Sequence, residues 1–420
     1  MNRTLAVVTL LIGVLLGCGD QRSSPADRQD TELVERARAI HERVLTIDSH
    51  DDIPFNFATS DVDPGVRGER QVDLPKMREG GLDAGFFIVY VGQTERTLEN
   101  YERAKVDART KFEAIHRMAD EMYPDEIEIA YTADDFERIA ASGKLVAAVG
   151  IENGFVIGKD LGLLKTYHEL GARYITLAHS GHNDIADSST PRNDLRDEEM
   201  EHGGVSAFGE KVIAEMNRLG IMVDVSHISK LAMLDAVQLS RAPVIASHSS
   251  VKALCDHPRN LDDEQLFALE ATGGVMQTVG LGAFVSERAG QRLEAFRRLR
   301  DEFGMIPGQE PEELGEEPYI DYVGRYAALD EQYPEATVAD FVDHIDYTVN
   351  LIGLDHVGIS SDFDGGGGVS GWNDASETFN VTLELVRRDY TEEQIAQLWG
   401  GNLLRVMRDV ERVAREIQNQ

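Results

Sequence analysis

Cysteine is scarce: Cys18 and Cys255 are the only two in 420 residues, which excludes a fold stapled by several disulfides or a cysteine-rich metal module. Basic residues are also few, with 41 Lys and Arg against 75 Asp and Glu, for a formal charge of -34. That excess repels polyanions, so nucleic acid is not an expected partner. An acidic, well-solvated surface suits a salty or extracytoplasmic setting. The apolar stretch at residues 5–16 falls short of the ~20 residues needed to cross a bilayer. What remains is an ordinary globular balance, 42% hydrophobic and 28% charged, with enough apolar material for a large core.

The opening "MNRTLAVVTLLIGVLLGCGD" sets Arg3 before the apolar stretch and Gly17-Cys18 after it, the layout of a secretory signal over residues 1–17. "LLGC" resembles the bacterial lipoprotein cleavage box, which makes Cys18 the lipidated first residue of an exported protein. The expected location is then the bacterial cell envelope, facing the periplasm or on the outer membrane, with an uncleaved anchor as the competing reading. Residues 18–31 are polar without apolar period and read as a flexible tether. With Cys18 lipidated no internal disulfide can form, and Cys255 reads as a small buried residue. Residues 32–420 then make a single domain.

From residue 44 onward, eight short apolar runs recur: "VLTID", "AGFFIVYV", "LVAAVGI", "YITLA", "IMVDVS", "PVIAS", "GVMQTV" and "HVGISS". Most are continuous rather than alternating, as parallel strands covered on both faces should be. Helix-like segments such as "GEKVIAEMNRLG" (209–220) and "KLAMLDAVQLS" (230–240) separate them. Eight strand-helix units are the number that closes a (β/α)8 TIM-type barrel, with an open doubly wound sheet as the alternative.

The residues that end these runs share a chemistry. They are His50 and Asp52, Glu152, His179, His227, His248 and Asp362, so that six of the eight runs finish in a metal ligand or proton carrier. In a barrel all such ends meet at one mouth. His50 and Asp52, two apart on a strand, face the same way, while Asp51 faces the other. Imidazoles and carboxylates without thiolate suit zinc, with manganese, cobalt or nickel as substitutes. The set is too rich for one ion. Two ions about 3.5–4 Å apart, bridged by Glu152, would acidify a shared water for hydrolysis of an amide, ester or phosphoester. Gly365 to Gly368 is not a phosphate cradle, because the P-loop lysine and Ser/Thr are missing.

The stretches "TIDSHDDIP", "YITLAHSGHND", "GVSAFGEKVIAEMNRLGIMVDVSHIS", "PVIASHSSVKALCDHPRNLDD", "LDHVGISSDFDG" and "GGNLLRV" resemble the membrane (renal-type) dipeptidases, in that family's order and from about residue 44 to residue 406. The resemblance implies a barrel holding two Zn2+ per chain and hydrolysing the peptide bond of dipeptides. It implies His50 and Asp52 as ligands of one zinc, His227 and His248 of the other, and Glu152 as the bridge. It gives Asp362 the proton transfer from attacking water to leaving amine, ahead of Asp364 in the same "SDFDG". His179 would steady the carbonyl oxygen and Arg259 the substrate's terminal carboxylate. His182 reads as polar loop. Members of the family are commonly homodimers, which is the oligomer the resemblance implies.

The sequence also departs from the family's pattern. "ENGFVIG" puts Asn153 and Phe155 where the family has glycines and a histidine, and "QTVGLGAFVSE" lacks the family's aromatic and amide residues. Residues 285–345 form a charged helical insertion between strands seven and eight, a lid, a dimer contact or a solvated helix pair. These departures are expected to alter the pocket and leave the metal chemistry intact. D-containing dipeptides, N-acyl amino acids or lactams are the alternative substrates, and a non-catalytic peptide-binding lipoprotein is the alternative from another class.

Overall fold

The computed structural model describes residues 25–420 apart from 307, 308 and 310. The signal peptide and Cys18 lie outside the described residues. Among the described residues no helix is long and apolar enough to cross a membrane.

Nine strands form among the described residues: β1 Ile47–Asp52, β2 Ala84–Tyr90, β3 Ile127–Ile129, β4 Leu145–Glu152, β5 Ala172–Thr176, β6 Met222–Asp224, β7 Ile245–Ser249, β8 Val275–Val279 and β9 Val357–Ser360. All pairings between them are parallel, in the order β1-β2-β4-β5-β6-β7-β8-β9. Each of the eight apolar runs supplies one strand of this path. The ring is nearly closed. Its last seam is a single bridge, Asp51 to Phe363, with the Asp52 amide donating to the Phe363 carbonyl at 2.8 Å. The fold is therefore a (β/α)8 barrel, and the open-sheet alternative is overturned.

β3 is the strand that the sequence reading lacks. It pairs with the first half of β4, Ile127 opposite Leu145, whereas β5 begins only opposite Val149. Three residues are too few to show a period, so nothing in "IEI" announces it.

The helices begin and end where local chemistry dictates. Ala207–Leu219 starts at Ser206, whose side chain accepts from the Phe208 and Gly209 amides, and stops at Gly220, which takes a left-handed φ of 85°. Pro25–His41 starts earlier than the predicted domain, so its first turns come from residues read as tether. One core layer lies between strands and helices. Another joins inward strand residues Phe86, Val146, Met222 and Ile245 to Leu403 and Val410 of the C-terminal Asn402–Gln418 helix. Each fully buried Phe, Leu or Ile contributes roughly 1.5–3 kcal/mol, so this closed cylinder is a rigid base for its mouth.

The insertion is shorter than predicted. Glu287–Glu302 and Glu316–Gln332 form a hairpin with its own small core of Leu299, Met305 and Tyr322. Residues 338–345, by contrast, belong to the barrel helix Val338–Ile352, which buries Phe341, Val342 and Ile345. Cys255 is buried, as expected.

Candidate active site

The carboxyl ends of the strands deliver the predicted residues to one place. His50 Nε2 lies 3.6 Å from Asp52 Oδ2, 3.7 Å from Glu152 Oε1 and 3.8 Å from Asp362 Oδ1. Glu152 Oε1 is also 2.9 Å from His227 Nε2, 3.4 Å from His248 Nε2 and 3.7 Å from His179 Nε2. Glu152 thus stands at the centre, the position expected of a bridge. Three overlapping sets can each hold a cation: His50, Asp52 and Glu152; Glu152, His179 and His227; and His50, His248 and Asp362. The first matches the predicted grouping. The other two bring His179 and Asp362, predicted for other roles, within ligand distance as well. Asp51 belongs to none of them, as the strand alternation predicts.

Two of the imidazoles are locked by the chain in the tautomer that a metal needs. His50 Nδ1 is 2.9 Å from the Tyr174 hydroxyl, which donates its one proton to the Ser49 carbonyl. The neutral ring that a metal binds must then carry its proton on Nδ1 and offer Nε2. The same logic holds for His248: its Nδ1 is 2.8 Å from Ser247 Oγ, and that hydroxyl donates to Asp224 Oδ2 at 2.6 Å. Asp224 is itself held by the Ser226 and Ser247 amides. Such carboxylate-to-histidine supports orient metal ligands. Buried His50 Nε2 has no hydrogen-bond partner at all, an orphan that a cation would satisfy. His227 Nδ1 also lacks one, while its Nε2 lies 2.7 Å from the bare His248 Nε2 and 2.9 Å from Glu152 Oε1, so without metal that nitrogen carries the proton a cation would displace.

Electrostatics point the same way. Burial, with the nearby Asp52 and Asp362 charges, pushes the Glu152 carboxyl up to about 8 despite His50 and Arg259. Burial likewise carries Asp362 up to about 7, with Asp52 adding to it and His50 opposing. For His50 burial works downward, but the Glu152, Asp52 and Asp362 charges prevail and raise it to about 9. His179 falls to about 3 through burial and the Arg259 charge. Burial also holds His227 and His248 well below their ordinary value. Protein groups alone therefore keep protons that a divalent cation would displace, and the donor set fits one.

The backbone is strained where chemistry is placed. His227 and Asp362 adopt left-handed φ values of 68° and 60°, uncommon for residues with side chains and costly by about 1–3 kcal/mol each. The Asp362 turn is clamped by the Gly365 and Gly367 amides, which donate to its carbonyl at 3.1 and 2.8 Å. A Cβ on Gly365 would collide with Asp52 Oδ2 and Asp362 Oδ1, so the glycine-rich turn is what lets the backbone approach the ligands. Asp364 turns away to pair with Arg70 at 3.3 Å.

Around this cage lies an 810 Å3 cleft lined by Tyr90, Lys111, Arg259, Phe284, Leu293 and Arg297 among others. Arg259 is buried, donates to the His248 carbonyl at 3.0 Å, lies 5.5 Å from the Phe284 ring centre and keeps its Nε unpartnered. Burial lowers it to about 10, still cationic at neutral pH. Leu293 and Arg297 come from the insertion, whose first helix thus walls the mouth.

Two expectations change. His182 does lie in a loop, but a buried one: it accepts from the Ser188 amide at 2.9 Å and donates to the Glu198 carbonyl at 2.9 Å. Asn153 and Phe155 do not line the cleft. Asn153 sits at a φ of 79° and ties Val91 and Asn183 together, while Phe155 packs on Tyr101. The sequence reading lacked Tyr90, Lys111, Tyr174, Asp224 and Ser247. Asp224 did leave a signal, an acid inside the apolar run "IMVDVS". Lys111 left none, being one more lysine on an amphipathic helix.

Comparison with known proteins agrees with this geometry. Residues 34–420 match the family described as membrane dipeptidase, peptidase family M19. The chain is 35% identical over 353 residues to dipeptidase aclJ of Aspergillus oryzae, covering 83% of this chain and 72% of that one. The crystal structure of the probable dipeptidase PvdM from Pseudomonas aeruginosa superposes with a TM-score of 0.80 at 34% identity, over 91% of this chain and 100% of that one. A metallopeptidase from Rhodobacter sphaeroides, solved with a phosphinate mimic of L-Ala-D-Ala, shares the fold at 22% identity and a TM-score of 0.66, over 87% and 99%. With the family match running over residues 34–420 and the barrel shared with these solved structures, the protein belongs to the membrane dipeptidase family, peptidase family M19.

Proposed function

We propose that this protein is a dinuclear zinc dipeptidase, with His50, Asp52, Glu152, His227 and His248 as ligands. The observation that carries this reading is the crowding of those side chains around Glu152, with hydrogen bonds on the Nδ1 atoms of His50 and His248 that leave Nε2 of each neutral ring to a cation. Divalent ions bound there supply Lewis acidity and lower the pKa of water.

The chain's own groups do the rest. Arg259 presents unpaired donor capacity to the substrate's terminal carboxylate and fixes the dipeptide's register. His179, neutral at working pH, donates an N–H toward the carbonyl oxygen as charge gathers on it. Asp362, at the rim of the cage and poised near neutrality, accepts a proton from the attacking water on a carboxylate oxygen and passes it to the leaving amine. The buried walls of the cleft keep bulk water from competing for these donors.

Stripping the protein with a chelator should abolish hydrolysis of Ala-Ala, and zinc should restore it with about two ions bound per chain. Hydrolysis that persists in chelator, or in His227→Ala, would rule the proposal out. The proposal includes export and lipid attachment at Cys18, resting on "LLGC" and tested by palmitate labelling that Cys18→Ala abolishes. It also includes a homodimer, resting on the family resemblance and tested by light scattering.

A further inference from the structure

Lys111 projects from the Leu98–His116 helix into the wall of the catalytic cleft, where it is only 4% exposed. Among the described residues it has no hydrogen bond or ion pair. Its Nζ stands over the rings of Phe55 and Tyr90, with centres 5.2 and 5.6 Å away. Those distances approach the outer reach of cation–π attraction, which offsets only part of the cost of burying an ammonium group. The other buried or half-buried cations of the cleft are engaged, Arg70 with Asp364 and Arg259 with the His248 carbonyl. The acids nearest in charge to Lys111, Asp52 and Glu152, are the ones that divalent ions would take up. Burial lowers the Lys111 amine from its ordinary value, so with the centre loaded an anion entering the cleft would supply the charge partner that this amine lacks.

Its place in the ring says which part of a substrate it meets. Lys111 lies over Tyr90 at the end of β2, whereas Arg259 follows β7 and contacts His248. In the order β1-β2-β4-β5-β6-β7-β8-β9, β2 and β7 are four steps apart in a ring of eight, on opposite sides of the mouth. A dipeptide with its terminal carboxylate on Arg259 and its peptide bond over Glu152 directs its N-terminal residue toward Lys111. The α-amine of that residue is cationic and would be repelled, so the partner is its side chain.

We infer that Lys111 is an anion subsite that takes the side-chain carboxylate of an acidic N-terminal residue, so that Glu-Xaa and Asp-Xaa dipeptides are preferred substrates. This rests on the dipeptidase reading above and names the substrate class for the same cleft. A charge-assisted bond in a dry site is worth about a factor of ten in affinity or more.

The test compares Glu-Ala with its neutral isostere Gln-Ala, and Ala-Glu with Ala-Gln, on the zinc-loaded full chain. Wild type should favour Glu-Ala over Gln-Ala by about tenfold in kcat/KM, chiefly through KM, with no comparable preference between Ala-Glu and Ala-Gln. In Lys111→Met the Glu-Ala to Gln-Ala ratio should fall toward one. Calorimetric binding of free glutamate against glutamine reads the same subsite without turnover and without a variant, so a misfolded Lys111→Met leaves the test intact. Equal handling of Glu-Ala and Gln-Ala by wild type, or a preference that survives Lys111→Met, overturns the subsite while leaving the dipeptidase reading standing. Failure to cleave any of the four peptides overturns the dipeptidase reading instead, and glutamate binding no tighter than glutamine then overturns the subsite separately.

Discussion

The mouth of the barrel and the insertion hairpin both face the cleft, yet they are built differently. The groups of the cage stand on strand ends or in the turns that follow within three residues, and those strands are tied by ladder hydrogen bonds and a core that runs the depth of the cylinder. The hairpin offers Leu293 and Arg297 from a helix whose buried support is Leu299, Met305 and Tyr322, with Ile320 and Val323 left exposed. The contrast teaches where precision is needed: groups that share cations must be held to fractions of an ångström, whereas a wall that only shapes a cleft can ride on a small local core.

The largest effect should come from the centre of the cage. Glu152→Gln removes the carboxylate shared by two of the three cation sets, and kcat/KM should fall by more than about 100-fold with metal content dropping in parallel. Elemental analysis beside kinetics checks both. A variant that keeps its metal and its activity would erase the distinction between cage and wall.

One step outward, Ser247→Ala and Tyr174→Phe remove the hydroxyls that set the His248 and His50 tautomers. Metal affinity should weaken by about 10- to 100-fold in each, read by competition with a chromogenic chelator.

The metal-free protein should also respond to pH. Between pH 6.5 and about 9 the folded state keeps protons on Glu152 (about 8), Asp362 (about 7) and His50 (about 9) that the unfolded chain has largely released. Raising pH through those folded values strips them and destabilises the fold, so Tm should drop across this window. His179, with a folded value of about 3, is neutral in both states there and does not oppose the trend. Calorimetric scans with chelator should show the slope, and zinc should flatten it by replacing the protons.

The smallest effect belongs to the hairpin. Leu299→Ala should loosen its core by about 2–5 kcal/mol locally and expose residues 287–332 to limited proteolysis. Metal content should not change, and kcat should stay within about twofold. A large loss of bound metal in this variant would show that the wall supports the cage after all.

Much of the site was legible because a parallel barrel maps sequence position onto space: whatever follows each apolar run arrives at the same rim. That is why His50, Asp52, Glu152, His179, His227, His248 and Asp362 could be grouped from residues scattered over the chain. Lys111 was not legible because a helix lysine normally points to water, and only packing over Phe55 and Tyr90 turns this one inward. Asn153 looked like a pocket residue because it follows Glu152, but its left-handed backbone turns the amide into the turn's own hydrogen bonds.

By itself, the order of apolar runs and polar ends determined the barrel and the grouping of the cage residues, since strand periodicity and strand-end chemistry are local properties written along the chain, while the family was read from the resemblance of whole stretches. Only the tertiary structure decided which histidine nitrogen is bare, which cation lacks a partner and where the insertion gives way to a barrel helix. Those depend on hydroxyls, carboxylates and rings brought from distant segments, and no local pattern encodes the distance between them.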